Sequence, residues 1–312
     1  MRTRLIIAIV VVLVLIGSLA WAARKVQIAA RSLIAYASSE RGDWERVGEE
    51  ERSFDASGAR RLVIENPVGD IEIVPGGPGM SIHAAKYARA TYGGTGASGR
   101  VGVSCRSDGK GGLKVTTPAT KDHTRVDLAL KVPAALDVTV SLTVGSVSIE
   151  RIAGSVTVDS RAGEITVKDC AGPVRVHTTV GSVEVADAGG DVTATTGAGD
   201  VSVTGARGRV YGHSGTSQVT LDRIISDDVT ATAGCGDVEV AMGAPFTGAM
   251  RARTRIGTAT VALRPGSRCR ISTSVGIGEV SDDAPASVVA RSGPGLVEVS
   301  SRVGEVTVTE AR

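Results

Sequence analysis

The side chains best suited to acid–base chemistry in this sequence form one aspartate–histidine pair. Asp159 and His177 are 18 residues apart, an interval that recurs in this region, so we expect them to be neighbours on adjacent strands. His213 lies 36 residues after His177, with Thr195 midway. Two strand spacings separate the histidines by about 9–10 Å, which is too far for a shared metal ion. We interpret Asp159 and His177 as a polar surface cluster and predict no catalytic residue.

An acidic series raises the question of calcium, because nine-residue glycine repeats also build calcium-loaded β-rolls with an aspartate in every unit. The corresponding position here holds, in order, Glu164, Ser182, Asp200, Gln218 and Asp237. Neutral residues interrupt the acids and leave too few oxygen ligands for a regular series of ions. The sequence therefore predicts a solvated stripe, no metal and no cofactor, with one isolated calcium site as the open alternative.

The four cysteines, Cys105, Cys170, Cys235 and Cys269, include no CxxC pair, so nothing supports a zinc or redox site. They permit two disulfides without indicating any. We expect Cys170 and Cys235 at opposite corners of the fold, too far apart to bond. Cys269 is predicted to be a small buried residue near the start of a strand.

Glycine recurs every nine residues and marks the elements that must position these side chains. The predicted corner glycines are Gly145, Gly154, Gly163, Gly172, Gly181, Gly190, Gly199 and Gly208. Every second corner has Ser or Thr three residues before the glycine position, at Ser160, Thr178, Thr196 and Ser214. The true period is therefore 18 residues, with two strands and two kinds of corner. The hydroxyls are expected to bond along their column or to nearby backbone.

This period predicts an all-β fold, a flattened parallel β-solenoid with two strands in each rung of roughly 18 residues. Each strand would pair with its equivalent one rung away and bury columns of β-branched residues. The first column would hold Val147, Ile165, Val183, Val201, Val219 and Val238. Insertions around Pro245–Phe246 and at 264–266 should bulge from corners. An antiparallel sandwich is the alternative fold.

The N-terminal segment is predicted to target the chain to a membrane. Residues 5–23 carry no charge, are long enough to cross a bilayer and follow Arg2 and Arg4. A retained transmembrane anchor is favoured, and a signal peptide cut after Ala22 is the alternative. The predicted organisation is 1–23 anchor, 24–53 solvated linker, 54–140 β-rich cap and 141–312 solenoid. We expect the domain that follows the anchor to be exported.

The order of motifs from residue 54 to 312 resembles the DUF4097 family, known as "putative adhesin". The resemblance rests on LVIENPVGDIEIVPG, on TRVDLALKVP at 124–133 and on the rungs after Gly145. It implies a β-helical domain that is commonly tethered to the membrane in bacterial envelopes.

Three functions compete. The first is an envelope adhesion, scaffold or sensing module without catalysis, with envelope proteins or polysaccharide as partners. The others are a polymerising scaffold facing the cytoplasm, as in bactofilins, and an enzyme acting on polysaccharide. The net charge of +2 is close to balanced, so the composition does not indicate the basic surface typical of nucleic-acid-binding proteins. The last rung, Gly304–Val308, is predicted to expose an unpaired edge and to support weak self-association.

Overall fold

The computed structural model describes residues 44–56, 58–89, 102–118, 124–282 and 294–311, which form twenty-three β-strands. The predicted anchor at 1–23 and the start of the linker lie outside these residues. Among those described, no helix is long and apolar enough to cross a bilayer. The all-β prediction is confirmed for this part of the chain.

The strands of the N-terminal region are β1 (Trp44–Phe54), β2 (Arg61–Val68), β3 (Ile71–Pro75), β4 (Met80–Arg89), β5 (Ser104–Ser107), β6 (Gly112–Thr116) and β7 (Thr124–Val132). The regular region follows with β8 (Asp137–Val144), β9 (Val147–Glu150), β10 (Val156–Ala162), β11 (Ile165–Lys168), β12 (Val174–Val180), β13 (Val183–Ala186), β14 (Val192–Ala198) and β15 (Val201–Thr204). It continues with β16 (Val210–Ser214), β17 (Val219–Ile224), β18 (Asp228–Cys235), β19 (Val238–Met242), β20 (Ala249–Ile256), β21 (Ala259–Leu263), β22 (Cys269–Asp282) and β23 (Gly295–Glu310).

From β8 to β19 each strand pairs in parallel with the strand two positions further along the chain. Within β8–β21, the even-numbered strands form what we call the front sheet, which β2, β6 and β5 continue. The odd-numbered strands form the back sheet, which β3, β7, β4 and β1 continue. One strand of each sheet makes a rung. A flattened solenoid pairs each strand with its equivalent in the next rung, at a constant interval along the chain. The observed pairing is therefore the one that the predicted solenoid requires.

The core is a set of stacked apolar columns between the two sheets. In the back sheet Val183 pairs with Ile165 on one side and Val201 on the other, and all three are buried. In the front sheet Val174 pairs with Val156 and Val192 in the same way. The predicted register is therefore present, and β-branched side chains fill the pleated surfaces as their propensity favours.

The N-terminal region both extends the stack and covers its end. Strand β2 pairs in parallel with β8 and with β6, while β3 pairs in parallel with β9 and with β7. Parallel rungs therefore begin at Arg61 and not at the predicted boundary of 141. Beyond them, β5 pairs with β6, β4 with β7 and β1 with β4, all antiparallel.

The charged stretch predicted to end a solvated linker is a strand. Residues Trp44–Phe54 pair along their length with Met80–Arg89, with a register shift between Arg46 and Gly48. The charges did not prevent strand formation because most of them are exposed along an outer strand, where charged side chains remain hydrated.

The C-terminal end of the stack differs from the prediction. Strand β23 pairs with β20 and β21 on one side and with β22 on the other. Val306 therefore lies between Ala259 and Val280 and is fully buried. Gly304–Val308 is not an open edge, because the earlier strand β22 occupies the outermost position.

Of the two predicted bulges, the one at 264–266 is present and the one at Pro245–Phe246 is not. Pro265 and Gly266 are exposed, but Phe246 is 1% exposed and is the largest fully buried side chain of the described core. Its amide donates to the Ser267 hydroxyl, which holds the corner over the core. An aromatic side chain buries more apolar area than valine, so it fills the space where the interval between rungs lengthens.

Candidate functional site

The first kind of corner combines a glycine with a hydroxyl from the next rung. Gly145, Gly163, Gly181 and Gly199 have φ between 130° and 140°, a region that L side chains rarely adopt. The Thr196 hydroxyl donates to the Gly181 carbonyl at 2.9 Å, and Ser214 donates to Gly199 at 2.8 Å. Thr254 and Ser301 repeat the bond further along, with Gly236 and Gly257. The Ser/Thr column therefore joins successive rungs.

Two members of this column behave differently. The Thr178 hydroxyl donates to the Val180 carbonyl within its own rung, at 3.1 Å. Ser160 is buried, and its hydroxyl makes no hydrogen bond within the described residues. Ser160 pairs with Leu142 in the preceding rung, so the Ser/Thr column has an apolar side chain at that position. These residues are structural, since all of them point into the core.

The second kind of corner uses glycine for a different reason. Gly154, Gly172, Gly190 and Gly208 have no positive φ, but a β-carbon on Gly172 would lie 2.3 Å from the Gly154 carbonyl oxygen. A left-handed residue comes three positions before each of these glycines, at Arg151, Asp169, Asp187 and Gly205, with φ between 52° and 69°. Arg223 (φ 51°) repeats this conformation three positions before Ser226. Asp and Gly favour this conformation and Arg does not, so the sequence carries the signal at three of the five corners.

The acidic corner residues bond to backbone in the neighbouring rung. The Asp237 carboxylate accepts from the Thr258 amide at 2.7 Å, and Asp200 accepts from Gln218 at 3.3 Å. At the other kind of corner, Asp137 accepts from both the hydroxyl and the amide of Ser155, and these bonds lower its pKa. No group of three potential metal ligands occurs in the described part of the chain.

The predicted polar pair lies on the outer face of the front sheet. Asp159, His177, Thr195 and His213 occupy one column in that order. The His177 ring nitrogen Nδ1 lies 2.9 Å from the Thr195 hydroxyl. The predicted surface cluster of Asp159 and His177 therefore lies in one column on neighbouring strands, with Thr195 as the hydrogen-bond partner of His177.

All four cysteines are unpaired thiols, including Cys170 and Cys235. Cys269 is the first residue of β22 and is fully buried, as predicted for a small residue near the start of a strand. Burial raises the pKa of the Cys170 and Cys269 thiols, which keeps them protonated at neutral pH. Cys170 and Cys269 are core residues, whereas Cys105 and Cys235 are only partly buried.

A cleft lined by polar and charged side chains lies at the N-terminal end. We define the cap cleft as the space between β1, β4, β7, β3, β9 and β11 on the outer face of the back sheet. Its floor includes Ala85 and Ala129, whose short side chains leave room above the sheet. Glu164 and Thr166 line one side, and Arg46, His83 and Tyr87 line the other.

A charged network fixes the floor of the cap cleft. The Arg125 guanidinium lies 2.6 Å from the Asp127 carboxylate and 3.3 Å from that of Asp70. It also lies 5.1 Å from the Tyr87 ring centre and 5.8 Å from that of Trp44. Burial opposes the charge of Arg125, but the bond to Asp127 and both carboxylates outweigh it and raise its pKa. The two aspartates also accept backbone amides, so this network is preorganised.

Two further carboxylates of the cap cleft are available to a ligand. Glu72 and Glu164 are exposed, and neither has an ion-pair partner among the described residues. They are two strands apart and offset by two residues along the strand direction, which places their α-carbons about 11–12 Å apart. The hydroxyls of Ser146 and Ser148 lie on the strand between them. Sequence reasoning missed this site because it requires antiparallel pairing between residues 44–54, 80–89 and 124–132.

Comparison with known proteins gives two solved structures. A "putative cell adhesion protein" from Clostridium sporogenes is 13% identical, with 84% of this chain and 99% of that chain covered and a TM-score of 0.26. A "putative adhesin" from Bacteroides fragilis is 13% identical, with 84% and 97% covered and a TM-score of 0.40. Neither a protein-family model nor a curated protein matches the chain, so the resemblance to DUF4097 rests on its motifs alone.

Proposed function

We propose that this chain is a membrane-anchored, exported β-solenoid that recognises a ligand at the cell envelope without catalysing a reaction. The observation that carries the proposal is the cap cleft. It presents unpaired carboxylates and hydroxyls above a floor that Arg125 and its partners hold in place. Preorganised polar groups on rigid strands lower the entropic cost of binding.

The charge of the cap cleft selects the class of ligand. The single positive charge of Arg125 is shared between Asp70 and Asp127, whereas Glu72 and Glu164 have no ion-pair partner among the described residues, so the net charge of these five groups is negative. A ligand that carries ammonium and hydroxyl groups complements both features, because each ammonium donates charge-assisted hydrogen bonds to a carboxylate. We infer that the natural ligand is an envelope polysaccharide with free amino groups.

Titration calorimetry of the full-length protein tests this ligand class. The probes are a glucosamine oligomer and the same oligomer with every amino group acetylated. We expect binding of the first only, and at least a tenfold weaker association for the double variant Glu72→Gln, Glu164→Gln. Glu184→Gln is the matched control, since Glu184 lies on the same face and pairs with Lys168 outside the cleft. Equal affinity for the acetylated oligomer, or no binding by the wild type, would reject the proposed site.

Membrane orientation needs a separate experiment. The support is the uncharged stretch at 5–23 with Arg2 and Arg4 before it. Two fusions at residue 312 distinguish the topologies: a phosphatase that is active only outside the cytoplasm and a fluorescent protein that matures only inside it. We expect phosphatase activity without fluorescence. Fluorescence without phosphatase activity would reject export and favour the cytoplasmic scaffold.

A further inference from the structure

The outermost strand of the stack, β22, has one paired side. It pairs with β23 over Cys269–Asp282, and no other described strand pairs with it. The Gly295 amide donates to the Arg268 carbonyl, so even-numbered residues of β22 direct their backbone groups toward β23. The amides and carbonyls of Ile271, Thr273 and Val275 therefore point to the open side. Such an edge is a template for another strand.

This edge lacks the protection that the opposite end of the stack carries. Strand β1 has a register shift at Arg46/Gly48, and its side chains include Glu45, Glu49, Glu51 and Arg52. Bulges and charges of this kind discourage edge-to-edge pairing. In the front sheet the end strand β5 has only four residues. By contrast, residues 271–278 of β22, ISTSVGIG, contain no charge and no proline.

Apolar groups are also left uncovered at β22. Ile277 is 63% exposed and Val280 is 48% exposed, and these are two of the four exposed large hydrophobic residues in the described chain. Ile271 and Val275 are only partly buried although they face the core. A further layer of strand on this side would cover the end of the core.

A second copy of the chain fits this edge. In antiparallel pairing about a two-fold axis at Thr273, Ile271 lies opposite Val275 of the other copy, and Ser272 lies opposite Ser274. Arg270 then faces Gly276, so no like charges meet. We propose that two copies join through antiparallel pairing of their β22 edges and form a closed dimer. Because the opposite ends are protected, the same contact does not propagate into filaments.

Sedimentation equilibrium of the full-length protein in detergent tests the dimer over roughly a thousandfold range of concentration. We expect a reversible dimer with no larger species. Thr273→Pro removes an amide that points to the open edge and leaves the ladder to β23 intact, so we expect at least tenfold weaker association. Ile277→Lys should weaken it as well, without touching the backbone. Circular dichroism verifies that both variants fold.

The matched control is Ile225→Lys, because Ile225 is 43% exposed at a distant corner. It should dimerise like the wild type. A wild type that stays monomeric at every concentration would overturn the proposal, as would a dimer that neither β22 variant weakens. Filaments would overturn the closed dimer and favour the polymerising scaffold. Ligand binding in the cap cleft lies at the other end of the stack, so its outcome is independent of this one.

Discussion

At the scale of single residues, the corners of this stack leave no room for a β-carbon. Successive rungs lie one strand spacing apart, and at a corner the backbone of one rung passes directly over the backbone of the next. A β-carbon on Gly163 would lie 1.8 Å from the Gly145 carbonyl oxygen. Glycine is therefore required by contact between rungs as well as by φ.

The first prediction tests whether glycine is required at the second kind of corner by steric contact with the neighbouring rung and not by its backbone conformation. Gly172→Ala should destabilise the protein by about 1–3 kcal/mol, because the methyl group meets the Gly154 carbonyl while φ at this position is ordinary. Urea denaturation followed by circular dichroism measures the change. Gly58→Ala is the control: nothing lies within 4 Å of its β-carbon, so we expect no loss of stability. Similar losses in both variants would contradict a steric role for the second kind of corner.

At the scale of elements, hydrogen bonds between rungs supplement the strand ladders. A hydroxyl or carboxylate of one rung repeatedly bonds to a backbone group of the next, as Thr196 does with Gly181 and Asp237 with Thr258. Each bond satisfies a polar backbone group at a corner, where the regular ladder is interrupted. The side chains therefore hold the register at the points where the chain turns.

The second prediction concerns the Ser/Thr column. Thr196→Val keeps the shape of the side chain but leaves the Gly181 carbonyl without its partner, so we expect a loss of about 1–2 kcal/mol. Thr196→Ser keeps the hydroxyl and should cost roughly half of that or less. The free energy of unfolding in urea is the measurement. A valine variant as stable as the serine variant would show that the bond contributes nothing.

The third prediction uses pH. The Ser155 hydroxyl and amide hold the pKa of Asp137 below its ordinary value of 3.8. A group whose folded pKa is lowered stabilises the fold above that ordinary value and loses this contribution as pH falls through the folded pKa. Asp137→Asn should therefore be less stable than the wild type at neutral pH. The difference should disappear well below pH 3.8. Melting temperatures across pH measure it, and a difference that does not depend on pH would refute the assignment.

The sequence predicts the middle of the stack better than its ends. In β10–β15 the interval of 18 residues and the β-branched columns admit one register, because a shift by one residue would expose the apolar face. At the C-terminal end the segments Ile277-Gly278-Glu279-Val280 and Val303-Gly304-Glu305-Val306 are nearly equivalent. Either segment could form the corner and pair with β21. The sequence pattern alone therefore did not predict that β23 lies between β21 and β22.

The cap cleft was unpredictable for a related reason. Its walls come from β1, β4 and β7, which are separated in sequence by long intervals and pair antiparallel. No repeat relates these strands, and charged residues such as Arg46 and Glu49 resemble a solvated linker. Asp70, Arg125 and Asp127 become a network only once β3 and β7 are neighbours.

At the scale of the whole molecule, a stack in which each rung contacts only its neighbours has stability that varies along its length. A central rung such as β12–β13 has partners on both sides, whereas β22 pairs on one side only within the described residues. The free energy of local opening should therefore fall from the middle toward this end.

The last prediction measures that gradient by amide hydrogen exchange on the full-length protein at concentrations that keep it monomeric. Amides in residues 174–204 should exchange slowest, because opening them breaks two interfaces between rungs. Peptides covering 269–282 should exchange fastest, with Ile271, Thr273 and Val275 less protected than Arg270 and Ser272, whose amides point toward β23. Raising the protein concentration should increase protection in 269–282 alone, because pairing of two β22 edges covers these amides. Uniform protection along the stack would instead indicate a single cooperative unit in which the outermost rung opens only with the whole fold.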